Sequence, residues 1–299
     1  MTKSTTSKTV PGKRKKQSGP LQEVWKRLKK NKLALVCMAI IAILLLIVIF
    51  ADVIVPYENA ITQVGALKMA PPSAEHIFGG DGLGRDLFAR VIHGSRVSLF
   101  LGFGATTITT IIATLLGSVV AYVGGKADAI VMRILDIIIS IPTILLALAI
   151  AAGFGIGIPQ VLISVSLAQV ASFTRVVRAA VLNIVDLEYI EASRAIGLSD
   201  FSIVMQHIIP NVIGIILVQF TMQVAENVLM CATLSFLGLG ARIPTPEWGK
   251  IMAEGLPFLR YSVHIVIFPI IFITTTALSI NLLGDALRDA FDPRLKGRA

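Results

Sequence analysis

The chain has 299 residues, of which 55% are hydrophobic and only 15% are charged, yet its formal net charge is +9. About a quarter of an ordinary soluble domain is charged, and disordered chains are poor in hydrophobic residues, so the composition disfavours both classes. Residues 1–32 carry eleven Lys or Arg and one Glu, whereas the rest of the chain has a balance of −1. Because the basic excess directly precedes an apolar run, it indicates a membrane surface rather than nucleic acid.

Six apolar segments predict transmembrane helices, since about 20 helical residues span the hydrocarbon core. The first contains nineteen residues without charge or proline. It is too long for the apolar part of a signal peptide, and no typical cleavage site follows it, so we expect it to be retained. The prediction is an all-α polytopic membrane protein with spans at 33–51, 97–123, 134–152, 156–172, 208–237 and 262–283.

The distribution of Lys and Arg between alternate loops predicts the orientation of the spans. If the N-terminus is inside, the inner segments carry twenty Lys or Arg and the outer segments carry seven. Both termini are therefore expected in the cytoplasm. The segments 56–96 and 238–261 then lie outside.

No cofactor site is predicted from the residue pattern. Cys37 and Cys231 fall in separate predicted helices and the four histidines are scattered, which supports neither a disulfide framework nor a metal site. Gly125-Lys126 lacks the other residues of a phosphate-binding loop. ATP is therefore not expected to bind to this chain by that route.

The segment 183–207 lies on the predicted cytoplasmic side but has the pattern of two helices. Asp186 is predicted to cap the first helix, and Gly197 is predicted to end it, because glycine adopts positive φ without penalty. Ser199 is predicted to cap a second helix that runs toward Pro210. This pattern alone leaves two interpretations open, an amphipathic helix lying on lipid or an element that docks a partner.

The same segment resembles the cytoplasmic loop of ABC-transporter permeases, E-A-A-x-x-x-G-x9-I-x-L-P. Ser193 replaces the second alanine, His207 the isoleucine and Ile209 the leucine. In that family the loop is the coupling helix, which docks in a cleft of an ATPase subunit. The resemblance implies this role for Tyr189, Ile190, Glu191, Ala192, Ser193, Ala195 and Gly197.

Three further segments, 78–90, 234–249 and 281–294, resemble the C-type permeases of the dipeptide, oligopeptide and nickel branch. Gly80 departs from that pattern by replacing a threonine. The resemblance extends from about residue 25 to the end and implies one N-terminal helix before a five-helix type I importer core. It also implies a prokaryotic plasma-membrane protein that is not an enzyme and binds no cofactor itself. The implied partners are a second permease chain, two ATPase subunits that use ATP and Mg, and an extracellular or periplasmic substrate-binding protein.

These expectations divide the chain into five regions. An amphipathic surface helix is expected at 84–95, with Asp86 and Arg90 one turn apart. The regions are a basic cytoplasmic tail (1–32), a first transmembrane helix (33–55), an extracytoplasmic loop (56–94), a permease core that includes the coupling loop (95–284), and a cytoplasmic C-terminal tail (285–299).

Polar residues inside the predicted fifth span are candidates for a substrate pathway. Gln219, Gln223 and Glu226 are spaced along one helical face, with Asn227 beside them. A charge within a span is costly and indicates function, although such residues also form hydrogen bonds between helices. Both interpretations remain open.

The implied cargo is short peptides, with nickel or another small solute as the alternative. From a different class, a secondary transporter coupled to protons through Glu226 would be expected to show internal repeats, and none is found. A purely structural membrane scaffold would assemble without solute flux.

Overall fold

A computed structural model describes residues 20–291. Within that range the secondary structure is helical, apart from one isolated bridge between Gly80 and Asp86. Most of the predicted basic tail and the end of the 281–294 motif lie outside the described residues.

The helices are numbered here in chain order. The last turn before α10 is a π-helical segment, Val204–Ile208, which joins α9 to α10 without a break. The helices are α1 (Pro20–Lys30), α2 (Lys32–Ile54), α3 (Tyr57–Ile61), α4 (Leu87–Val123), α5 (Gly125–Ile139), α6 (Thr143–Phe154), α7 (Ile158–Leu182), α8 (Glu188–Ala195), α9 (Asp200–Ile203), α10 (Ile209–Phe236), α11 (Trp248–Gly255) and α12 (His264–Phe291).

Five of these helical stretches are long and apolar enough to cross a membrane: α2, α4, α7, continuous α9–α10, and α12. α5 and α6 provide a sixth span if they cross together, but they are bent by 88°. The continuous helix predicted at 134–152 is therefore wrong. Pro142 precedes α6 and has no N–H to continue the helical hydrogen bonds, which explains the break. The all-α polytopic architecture is confirmed.

A helix is present in the segment predicted as a surface helix (84–95), but it is not a distinct one: residues 87–95 form the first turns of α4, and residues 84–86 precede it. Asp86 caps α4 by accepting the Ala89 N–H at 2.8 Å, while the Arg90 side chain turns toward other acids. The predicted boundary between 94 and 95 thus falls inside α4, and the boundary between 284 and 285 falls inside α12.

α4, α7 and α10 pack together at the centre, and α12 packs between α10 and α2. At Gly117 of α4, an added Cβ would lie 2.8 Å from the Thr174 carbonyl oxygen of α7. The small residue therefore allows the two backbones to approach closely. The 37 residues of α4 rise about 55 Å, so its two ends lie at opposite ends of the bundle.

Candidate functional site

The segment predicted to couple to an ATPase forms α8 and α9 at the C-terminal end of α4. α8 ends as predicted: Gly197 follows it with φ +83°, and the Leu198 N–H donates to the Ser193 carbonyl at 3.2 Å. Ser199 caps α9 as predicted, accepting the Ser202 N–H at 3.3 Å. The predicted Asp186 cap is wrong, because α8 begins after Leu187 without a side-chain cap.

Two of the seven predicted coupling residues are buried, and one of them, Ile190, holds α8 against the bundle. Ile190 is fully buried and packs in a cluster with Phe173 and Val177 of α7 and Ile203 of α9. Ser193 is also buried, and its hydroxyl donates to the Tyr189 carbonyl within α8. Displacement of α8 would therefore disturb the cores of α7 and of α9–α10.

The other side of this segment is exposed and partly apolar. We define the docking face as Leu187, Tyr189, Ile196 and Phe201. Ile196 and Phe201 are 77% and 74% exposed. Exposed apolar side chains grouped beside charged ones are typical of protein-interaction surfaces.

The remaining predicted residues, Glu191, Ala192, Ala195 and Gly197, are also exposed on this segment. The sequence analysis did not select Ile196 or Phe201. The sequence pattern that could have identified them is a pair of large apolar side chains on either side of a helix-ending glycine, in a segment that is otherwise rich in charge.

Tyr122, in the last turn of α4, connects α4 to both α8 and α9. Its hydroxyl donates to Asp200 at 2.7 Å and accepts from Arg194 Nε at 3.3 Å. The Arg194 guanidinium also lies 4.6 Å from the centre of the Tyr122 ring. This connection was not predicted, because the two partners lie more than 70 residues away in sequence.

Two ion pairs join α7 to α5 near the same end. Arg178 Nε and Nη2 donate to the two carboxylate oxygens of Asp128, each at 2.5 Å. Arg175 pairs with Asp136 one to two turns further along. Both arginines were predicted to lie in a loop, whereas α7 extends to Leu182 and carries them on helix.

An open cleft of about 580 Å³ lies between α6, α7 and α10. The predicted stripe lines it: Gln219, Gln223 and Glu226 all contribute to its wall. Gln223 Nε2 donates to Glu226 Oε2 at 3.2 Å, and Gln169 of α7 adds a third amide. Glu226 is exposed in the single chain although it lies near the middle of α10.

Asn227, predicted beside the stripe, lies outside this cleft. It is fully buried, and its Nδ2 donates to Thr106 Oγ1 of α4 at 2.9 Å. Gln169 approaches its other side at 3.4 Å. The geometry therefore places Asn227 in the hydrogen-bonded contact between helices.

At the opposite end of α4, four charged side chains form a buried group that we name the ion cluster: Asp81, Arg85, Arg90 and Glu254. Arg85 and Arg90 contact Asp81 at 2.6 and 2.5 Å, and contact Glu254 at 2.5 and 2.7 Å. Both arginines are 1% exposed. Burial alone would raise the pKa of Asp81, but the charges and hydrogen bonds of Arg90 and Arg85 outweigh burial and hold that pKa below its usual value.

The segment 234–249 also makes its main polar contacts within the chain. Glu247 is fully buried and caps α11 by accepting the N–H groups of Gly249 and Lys250 at 3.0 and 2.8 Å. Burial raises the pKa of Glu247 despite these bonds. Trp248 Nε1 donates to the Val91 carbonyl of α4 at 2.9 Å. Through these bonds and the ion cluster, the motifs at 78–90 and 234–249 connect residues 56–86 and α11 to α4.

Two family descriptions match the chain. Residues 113–297 match "Binding-protein-dependent transport system inner membrane component", and residues 19–72 match "N-terminal TM domain of oligopeptide transport permease C". The chain belongs to the binding-protein-dependent transport permeases. The family resemblance in the motifs is therefore confirmed, and the first match contains both α8 and the polar cleft.

Relatives of this permease cover nearly its whole length. It is 41% identical over 277 residues to the dipeptide transport system permease protein DppC of Alkalihalophilus pseudofirmus, covering 93% of this chain and 91% of that protein. It is 40% identical over 280 residues to the glutathione transport system permease protein GsiD of Shigella dysenteriae, covering 93% and 92%.

Solved structures show the same fold for the core of the permease. Two inward-facing structures of the MetNI methionine ABC transporter match with TM-scores of 0.56 and 0.54 at 23% and 22% identity. They cover 68% and 67% of this chain, and 97% and 96% of the matched chains. The likeness shows the helical fold of the core, and the matching family description is that of an integral inner-membrane component.

Proposed function

We propose that this permease forms half of the pathway of an ATP-driven importer of short peptides and takes its energy from ATPase subunits docked on α8. The single observation that carries this proposal is the docking face, an exposed apolar surface whose helix is anchored in the bundle by Ile190. The complex would contain a second homologous permease chain, two ATPase subunits that use ATP and Mg, and a substrate-binding protein. This chain would supply no catalytic residue or cofactor.

The contacts of α8 support a mechanical role. α8 is joined to α7 through residues 183–187 and to α10 through α9. Ile190 also packs directly on both neighbours. An ATPase that gripped α8 would therefore move α7 and α10, which are the helices that line the polar cleft. Rocking of these helices would open the cleft alternately to the two sides of the membrane.

The polar cleft supports a pathway shared with a second chain. An exposed carboxylate such as that of Glu226 is costly against lipid in the middle of a span. A second permease chain and water would cover it and complete the channel. The relatives named for dipeptide and glutathione transport favour a peptide as cargo. In this role the amides of Gln219 and Gln223 would bind peptide groups and Glu226 would bind an ammonium group.

The charge pattern supports an orientation with α8 and both termini in the cytoplasm. α1 packs Val24 and Leu28 against α12 and leaves Trp25 half exposed. Lys29 lies 5.0 Å from the Trp25 ring. A helix with an interfacial tryptophan and several lysines would lie at anionic lipid headgroups. We propose this lipid contact, with no role in nucleic-acid binding.

The coupling role is tested by replacing Glu191 with Lys and Gly197 with Ala. At Gly197 an added Cβ meets no atom within 4 Å, so the cost comes only from φ +83°. Both variants should insert into the membrane normally but lose ATPase co-purification and peptide uptake. Gly155→Ala is the matched control, because Gly155 has φ +90° and equally open space at the other end of the bundle.

Normal uptake by Glu191→Lys would contradict the coupling role. Uptake driven by a proton gradient without the ATPase would favour a secondary transporter. The pathway role is tested separately by Glu226→Gln, which should slow peptide uptake while ATPase co-purification stays normal. Unchanged rate and specificity would remove Glu226 from the pathway.

A further inference from the structure

A second open cleft of about 490 Å³ adjoins the polar cleft, and Val176 and Gln219 line both. Its wall is mainly apolar, with Val218 and Met222 of α10 among its side chains. Among the described residues that line it, Arg288 of α12 carries the only charge. The two clefts therefore form one continuous groove with a carboxylate in one part and a guanidinium in the other.

Arg288 lies at the same end of the bundle as α8. α12 starts next to the outer segment, where His264 Nε2 lies 3.2 Å from the Gly80 carbonyl oxygen, and Arg288 lies in its last turn. The side chain is exposed, and no carboxylate of residues 24–291 forms an ion pair with it. A guanidinium that pairs with none of these carboxylates and lies beside apolar walls can bind an anionic group.

The order of the polar groups along α10 suits a cargo with two charged ends. Gly214, which lines the second cleft, precedes Glu226 by twelve residues, or about 18 Å of helix. From mid-membrane toward α8 the groove therefore presents the Glu226 carboxylate, the amides of Gln223 and Gln219, and then the Arg288 guanidinium. A peptide with free termini carries one ammonium and one carboxylate, which these charges complement.

We propose that Arg288 binds the C-terminal carboxylate of the cargo as the peptide leaves the polar cleft toward the α8 end. This inference rests on the proposed peptide-import function. A guanidinium suits the task because it holds a carboxylate by two parallel hydrogen bonds. The apolar wall strengthens that attraction by lowering the local dielectric constant. Because the groove remains open, the contact can break when the peptide departs.

The test compares two peptides of identical sequence, one with a free C-terminal carboxylate and one with a C-terminal amide. Uptake of both is measured in proteoliposomes containing the complete transporter, for wild type, Arg288→Gln and Arg288→Lys. Arg288→Gln should lower the acid-to-amide ratio of uptake rates about tenfold, the size expected for one charged hydrogen-bonded contact. Arg288→Lys keeps the charge and should retain most of the ratio.

The ratio removes the other sources of variation. The binding protein is the same in every sample, so its own preference cancels between wild type and variant, and so does the amount of assembled transporter. Lys126→Gln is the matched control, because it removes an exposed positive charge at the same end but outside both clefts. It should leave the ratio unchanged.

The outcomes separate this inference from the function on which it rests. If wild type takes up both peptides and Arg288→Gln slows them equally, Arg288 has a structural or lipid-phosphate role and the inference is overturned. An unchanged ratio with unchanged rates overturns it as well. If wild type takes up neither peptide while the complex hydrolyses ATP, the peptide-import proposal itself fails.

Discussion

The two ends of α4 differ in how far the side chains around them are buried and paired within the chain. At its N-terminal end, Arg85 and Arg90 are buried and each contacts both acids of the ion cluster. At its C-terminal end, about 55 Å away, Ile196 and Phe201 are three-quarters exposed and the charged contacts are open to solvent. At the first end the charged groups pair within the chain, although Arg85 Nη1, Arg90 Nε and Glu254 Oε1 find no hydrogen-bond partner among the described residues. At the second end large apolar side chains are left exposed.

This difference indicates that the two family motifs have different roles, one in stability and one in binding a partner. The motif at 78–90 is explained by ion pairs within the chain, since its charges connect 56–86 and α11 to α4. The segment 187–210, which contains the coupling motif, is only half explained in this way, because Ile190 and Ser193 are buried while the docking face has no cover among the described residues. A partner is therefore expected at the inner end, and stability is the expected role of the outer cluster.

Replacing Arg90 with Met should have the largest effect on stability. The change leaves Asp81 with Arg85 alone and weakens the pairing of Glu254 in a buried site. Removing one partner of a buried ion pair typically costs about 3–5 kcal/mol of unfolding free energy. Unfolding of the purified protein in detergent, followed against temperature, measures the loss. Arg260→Met is the control, because Arg260 is exposed at the same end and should change stability by less than about 0.5 kcal/mol.

Equal stability of the two arginine variants would show that the ion cluster is not what holds the outer end together. The capping of α11 by Glu247 would then be the contact expected to stabilise this end of the molecule.

Replacing Phe201 with Ser should weaken ATPase binding and leave the stability of the folded chain almost unchanged. Phe201 is 74% exposed, so the folded chain loses little packing. An aromatic residue central to an interface commonly contributes about 2 kcal/mol, or roughly thirtyfold in affinity. Binding of the purified ATPase to the permease in nanodiscs measures the change. Tyr261→Ser is the control, because Tyr261 is 79% exposed at the opposite end.

An equal loss of ATPase affinity in both serine variants would contradict the assignment of the docking face. A lower melting temperature in Phe201→Ser alone would show that this residue packs within the chain.

Replacing Tyr122 with Phe should have a smaller effect, confined to coupling. The ring stays beside Arg194, but the hydroxyl contacts to Asp200 and Arg194 are lost. Networks of this kind modulate coupling by about 1 kcal/mol, or roughly fivefold. We expect ATP hydrolysis to continue while peptide uptake per ATP falls by that factor, measured in the same proteoliposomes. Tyr261→Phe serves as the control. If Tyr122→Phe takes up as much peptide per ATP as the wild type, the hydroxyl contacts of Tyr122 do not take part in coupling ATP hydrolysis to transport.

The parts of the inner end that could be predicted follow local rules. Gly197 ends α8 because a positive φ is needed there, and Ser199 caps α9 because its side chain reaches the backbone three residues on. Asp186 obeys the same capping preference, but the chain is still extended at Leu187 and the helix begins after it. Capping preference alone therefore does not decide which of two neighbouring residues begins the helix.

The ion cluster could not be predicted from the sequence alone. Asp86 and Arg90 have the spacing of a helical pair, yet Arg90 turns to Asp81 and to Glu254, which is 164 residues away.

The burial of Asn227 could not be predicted either. Adjacent side chains on a helix point about 100° apart. Asn227 therefore faces Thr106 while Glu226 faces the cleft, and only the position of α4 decides which residue is buried.

The smallest effect is expected from mild acid on the ion cluster. Because the pKa of Asp81 in the folded chain lies below its ordinary value of 3.8, its contribution to stability is present at neutral pH. That contribution is lost only as the pH falls below about 3.8 toward the folded-state value. Wild type and Asp81→Asn should therefore keep a constant difference in unfolding free energy from pH 7 to pH 5, and the difference should shrink in stronger acid.

Thermal unfolding of both proteins across this pH range measures the difference. If the wild type instead gains stability relative to Asp81→Asn between pH 6 and pH 5, burial outweighs the two arginines and the pKa of Asp81 is raised. The outer cluster would then be incompletely compensated within the chain, and the contrast between the two ends of α4 would weaken. A constant difference over that interval means that Arg85 and Arg90 compensate the charge of Asp81 within the chain, whereas the docking face is where we expect an ATPase subunit to bind.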